Sequence, residues 1–321
     1  MKAKFLLLAI IVFASCTKTD PFPTPAPGQL YEYKVLPSVT STAISSFNSE
    51  HFVYLDTRVT AKNKLFVFLP GTTGSPAFYT LILKKAAALG YHSIGLMYPN
   101  NSDLYIAAAN NPDNTAFGKG RKEIFEGTDQ IAGVNVNADN CIKTRLIKLL
   151  QYMQAQHPTE NWQQFLAGSD VNWSKVVIAG HSQGGGHAFY ISKQVAVDRA
   201  ISFSSIDWNT VLNTSAAWVS QPGATALSQL YSFNHPSDEI FSYANVQAQL
   251  SAMNITGAPV DIDLVASPFN ASHRLISSST AAITIFVPNH NITCLDQYVP
   301  KTASGDVKAE FVKCWDYLLG N

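Results

Sequence analysis

Ser182 sits in Gly180-His181-Ser182-Gln183-Gly184, between a β-prone run (Lys175 to Ile178) and a predicted helix from about Gly184 to Val195. A serine hydroxyl becomes a useful nucleophile only when it stands clear of the backbone, within reach of a base. A very tight strand-to-helix turn provides that exposure through a strained backbone. Glycines at 180 and 184 suit such a turn, because side chains there would strike the adjoining strand and helix. The start of the helix adds positive partial charge and the Gln183 N–H, a ready donor for a developing oxyanion. The plainer alternative is a glycine-rich turn in which Ser182 merely caps the helix. His181 and His187 flank the serine, and both read as packing or rim residues. His187 falls about one turn into the helix, facing away from where a base would approach.

In this strand–turn–helix setting, and with Leu69-Pro70-Gly71-Thr72-Thr73-Gly74 closing an earlier strand, the chain resembles the α/β-hydrolase superfamily. The resemblance spans residues 50 to 321 by order of elements. It implies an α/β fold with a mostly parallel central sheet and helices on both faces. It implies a serine hydrolase, esterase- or lipase-like, that cleaves carboxylic esters through an acyl-enzyme on Ser182. A second oxyanion donor should then come from the loop after an early strand. Here that is the Thr72 N–H, with Thr73 in reserve and Pro70 where many relatives carry histidine.

The same fold orders its triad serine, acid, histidine. The acid is expected after QLYSF, which points to Asp238 ahead of Asp207 in SSIDW; Glu239 is expected to point elsewhere. His235 precedes Asp238 and drops out. His290, in VPNHNIT, is preferred as the base because it follows AITIFV and precedes the closing helix, and His273, in NASHRL, stays as the alternative. The histidine would take the Ser182 proton as its oxygen attacks a carbonyl carbon. Asp238 would hold the imidazole tautomer, Thr72 and Gln183 N–H groups the oxyanion, and water would release the acyl group.

The surrounding chain alternates strand and helix patterns, as a parallel sheet requires. Strands are predicted at 64–69, 92–97, 199–204, 229–233, 261–265 and 282–287, beside the run entering the serine motif. Helical periodicity covers 77–89, with Gly90 at the capping position, then 140–156, 240–252 and 310–319. No linker interrupts residues 30–321, which read as one catalytic domain. The segment Asn101–Asp139 should lie over the sheet edge, with Tyr105, Phe117, Arg121, Glu123 and Phe125 as a partial lid. Trp208 is a weaker candidate for lining a pocket.

Of the 321 residues, 46% are apolar and 14% charged, enough for a sizeable core. Lysine plus arginine equals aspartate plus glutamate and no basic run occurs, which argues against nucleic acid as a partner. No metal-ligand spacing or dinucleotide motif appears, so no metal and no cofactor are expected. Lys2 and Lys4 precede an apolar stretch, Phe5 to Phe13, about half the ~20 residues of a spanning helix. It ends in Phe13-Ala14-Ser15-Cys16, which resembles a bacterial lipobox with Cys16 as the acylated residue. Residues 1–16 then form a lipoprotein signal peptide and 17–29 a proline-rich tether, anchoring an exported domain to the envelope membrane. Cys141, Cys294 and Cys314 allow a Cys294–Cys314 bridge or three buried thiols. Two other readings stay open: acyl transfer with the same triad, and a surface lipoprotein that binds without catalysing.

Overall fold

The computed structural model describes residues 28–321; the signal segment with Cys16, and the tether up to residue 27, lie outside the described residues. Nine strands make one sheet. They are Leu30–Val35 (β1), His51–Asp56 (β2), Leu65–Leu69 (β3), His92–Gly95 (β4), Val176–His181 (β5), Arg199–Phe203 (β6), Leu230–Asn234 (β7), Val260–Asp261 (β8) and Arg274–Ile276 (β9). Their order across the sheet is β1-β2-β4-β3-β5-β6-β7-β9-β8. β2 runs antiparallel to both neighbours, and every pair from β4 to β8 is parallel.

Strand alternation sorts the core into two layers. Leu65, Val67 and Leu69 of β3 pack into one layer with Ala116–Glu126 (α3), Ile142–Gln156 (α4) and Gln183–Gln194 (α5). Phe66 and Phe68 face the other, with Thr80–Ala88 (α1) and the closing helix Ala309–Leu318 (α8). Full burial of such side chains contributes ~1.5–3 kcal/mol each. The stripe expected on α4 is buried: Ile142, Leu146, Leu149, Leu150 and Met153. Gly90 follows α1 at φ +89°, a left-handed turn that ends the helix. Asp103–Ala108 (α2), Tyr243–Ala252 (α6) and the four-residue Pro288–Asn291 (α7) complete the helices used below.

Three expectations are corrected. AITIFV is not a strand: Ile285 and Phe286 are exposed, and Phe286 and Val287 adopt left-handed φ of 48° and 45°. Two consecutive left-handed residues before Pro288 turn the chain instead of extending it. Of 261–265 only Asp261 lies in a strand, the two-residue Val260–Asp261, and the strand that pairs with β7 is Arg274–Ile276. β1 and β2 were not expected, since β1 and the β2 residues mix tyrosine, lysine and glutamate or histidine with apolar side chains. Cys141, Cys294 and Cys314 are buried free thiols.

β3 and β5 lie side by side, yet the chain leaves β3 toward β4 on one side and returns beyond it to β5. Their following loops therefore diverge and leave a crevice at the C-terminal edge, where ligands of such sheets bind.

Candidate active site

Ser182 occupies that crevice with φ 51° and ψ −118°, a strained conformation for a residue with a side chain. The turn is held by Ser182 N–H donating to Phe203 O at 2.9 Å and Gly186 N–H donating to Ser182 O at 3.1 Å. A Cβ on Gly184 would stand 2.0 Å from Leu69 O, and one on Gly180 would stand 2.3 Å from the carbonyl carbon of Gly184. The two glycines are thus steric requirements of the bend, as the sequence suggested.

The loop after β3 arrives beside it. Pro70 lacks an N–H; Gly71 N–H donates to Tyr79 Oη (3.1 Å), Thr73 N–H to Asn100 O (2.8 Å), and Gly74 N–H to Gly71 O (2.9 Å). Asn100 Nδ2 holds the Gly71 and Gly74 carbonyls, and Tyr98 Oη donates to Pro70 O. Every other N–H of the loop is occupied, which leaves Thr72 N–H unpaired among the described residues. Thr73, the reserve candidate, is excluded by its bond to Asn100. Gln183 N–H opens α5 and has no intrahelical acceptor. Its carbonyl accepts Arg121 Nη1–H at 2.6 Å, which fixes the first turn of the helix.

On the other side of the crevice, His290 Nδ1 and Asp238 Oδ2 are 2.8 Å apart. Asp238 Oδ1 also accepts Ile240 N–H and Phe241 N–H, at 2.8 and 3.0 Å. Burial pushes the Asp238 carboxyl up, but the His290 bond and these two N–H donors outweigh it and hold the group below its usual range. Nε2 is left as the remaining ring nitrogen of His290, and both His290 and Ser182 line one cavity of about 500 Å³. Ser182 Oγ and His290 Nε2 are not hydrogen-bonded to each other. Phe78, Tyr105, Ile240, Phe241, Val287 and Leu295 make most of the remaining wall. No protein-family profile matches this chain. No curated protein matches it either.

The backbone of His290 is gripped from both directions. Glu239, expected to point elsewhere, does miss the ring, but its carboxylate accepts Asn289 N–H and His290 N–H at 3.1 and 3.0 Å. His181 donates from Nε2 to His290 O at 3.0 Å and accepts Tyr79 Oη–H at Nδ1, 3.1 Å away. Burial, then the neighbouring His290, push the His181 imidazole down to about 3, so it is neutral and this tautomer satisfies both bonds. One histidine thus links the loop after β3 to the candidate base. Tyr79 and Asn100 were missed in the sequence, because nothing in their spacing separates such roles from core packing.

The alternatives are not at the site. Asp207 is fully buried and accepts both Arg121 Nε (2.9 Å) and Nη2 (2.6 Å), with Trp218 Nε1 at 2.9 Å. His273 immediately precedes β9 at the opposite, N-terminal edge of the sheet, bonded to Leu230 O and stacked on Tyr231 at 4.2 Å. The partial lid is also corrected: Phe117, Arg121, Glu123 and Phe125 are buried in the core, and of that group Tyr105 alone reaches the cavity. Trp208 pairs with Ser215 in a two-stranded ribbon and does not line the cavity. His187 is buried against Tyr98 as a packing residue, as expected. Among the described residues no group of three or more His, Cys, Asp or Glu side chains is arranged to hold a metal ion.

Proposed function

We propose that this protein is a serine hydrolase of the α/β-hydrolase fold that cleaves neutral carboxylic esters through an acyl-enzyme on Ser182. The observation that carries the reading is that Ser182, Thr72 and His290, the last bonded to Asp238, line one apolar crevice, with the unpaired Gln183 N–H directly after the serine. In this scheme His290 Nε2 removes the hydroxyl proton as Oγ adds to the ester carbon, and the imidazolium is stabilised by Asp238. Thr72 and Gln183 N–H groups receive the oxyanion; each such donor is typically worth ~3–4 kcal/mol to the transition state. His290 then returns the proton to the leaving alcohol, and water repeats the cycle on the acyl-enzyme. A serine–histidine bond often tightens only in the complex with substrate, so its absence here fits the scheme. Export and lipid anchoring at Cys16 remain part of the proposal on the strength of the sequence.

The test is labelling of the full chain by a fluorophosphonate probe beside turnover of p-nitrophenyl butyrate. Wild type should label and turn over, and Ser182→Ala should do neither. A folded wild type that neither labels nor turns over would sink the reading in favour of a binding protein.

A further inference from the structure

A second cavity of about 440 Å³ adjoins the first, behind Phe78. The two share Phe78, Asn291 and Leu295 as walls, so these side chains are the partition between them. Of the three, Asn291 is tied down, its Nδ2 donating to Phe286 O at 3.1 Å. Phe78 is the loosest: it ends a three-residue helical turn and keeps 49% of its surface exposed. Neither cavity offers a free charge. No Lys, Arg, Asp or Glu lines the first. In the second, Asp296 is spent on Thr80 N–H, Thr80 Oγ1–H and Leu81 N–H, at 2.9, 2.7 and 3.0 Å.

We infer that the second cavity is the subsite for a long apolar arm of the ester, and that Phe78 is the residue which sets how long that arm can be. The inference rests on the hydrolase reading and deepens it. The first cavity lies toward the low end of small-molecule sites, ~300–1,000 Å³, and the cavity past Phe78 gives room for a longer substrate. With no free charge to pair with it, an ester whose far end carries a carboxylate, phosphate or ammonium is disfavoured there. The substrate class is therefore a neutral ester with one extended hydrocarbon arm.

Two ester series test this on the full chain: p-nitrophenyl acetate to palmitate, which lengthens the acyl arm, and methyl to dodecyl butyrate, which lengthens the alcohol arm. Phe78→Ala merges the cavities, and the ratio of kcat/KM for the twelve-carbon to the four-carbon member should rise about tenfold or more in one series. Phe78→Trp should lower the same ratio. Fluorophosphonate labelling of Ser182 is followed in each variant. If all three proteins label but the ratio stays within about twofold in both series, the subsite is wrong and the hydrolase reading stands. A wild type that neither labels nor turns over removes both.

Discussion

Tyr79 offers the most direct way to separate reacting groups from those that hold them. Its hydroxyl accepts from Gly71 N–H and donates to His181, which in turn holds the His290 carbonyl. Tyr79→Phe keeps the ring and its contact with Phe68 while cutting both ends of that chain. On the proposed reading kcat should fall by up to ~10²-fold with little change in KM, since misplacement by a fraction of an ångström acts on the transition state. A variant with unchanged kcat would mean that His290 is positioned without this relay. The histidines divide likewise. His290→Ala should lose turnover and probe labelling, whereas His273→Ala should keep both and lose only ~1–2 kcal/mol of stability through its bond to Leu230 O. Turnover lost in His273→Ala alone would overturn the assignment of the base.

Elements show why some of this was readable in the chain and some was not. Ser182, Asp238 and His290 were reachable because the motif marks one strand end and chain order restricts the rest. His290 was nevertheless reached partly for a wrong reason, since AITIFV carries a buried-strand pattern yet leaves Ile285 and Phe286 in solvent. Composition over six residues cannot reveal that the chain turns at Phe286. The lid was misread for a related cause: Arg121 and Glu123 on α3 look like surface charges until their partners are known. Arg121 is pushed down by burial, but Asp207 beside it more than offsets this and holds the guanidinium above its ordinary range. Gly186 makes room for it, as a Cβ there would stand 2.0 Å from Nη2. Arg121→Ala should therefore destabilise by ~3–5 kcal/mol, leaving the Asp207 charge buried without its partner. The double variant Arg121→Met with Asp207→Leu should recover much of that loss in urea unfolding. A single variant within ~1 kcal/mol of wild type would mean that the pair does not anchor α3 to the segment after β6.

Across the whole molecule, four histidines are buried in forms that resist protonation, and they set how the protein should respond to acid. Burial first, then Arg145, push His51 down to about 3; burial and His290 do the same to His181. His92 and His187 are lowered as well, chiefly by burial. Unfolded, each would titrate near 6.5, so below that pH the unfolded chain binds protons that the native chain refuses. Stability is then complete above about pH 6.5 and declines continuously toward 3. At pH 5 the loss is roughly 2 kcal/mol each for His51 and His181, with His92 and His187 adding in the same direction. Carboxylates held below their usual range, among them Asp56, Asp238 and Asp263, act in a separate window, since their contribution is lost only below about pH 4, as pH falls through their lowered values. Urea midpoints measured at pH 7.5, 6 and 5 should fall steeply over the last interval, and His51→Gln should flatten the slope. Because His181 belongs to both the buried set and the site, on the proposed reading acid strong enough to protonate it should end ester turnover together with the fold. A midpoint that holds level from pH 7.5 to 5 would mean that these histidines are not neutral in the native state, and the tautomer that links Tyr79 to His290 would go with them.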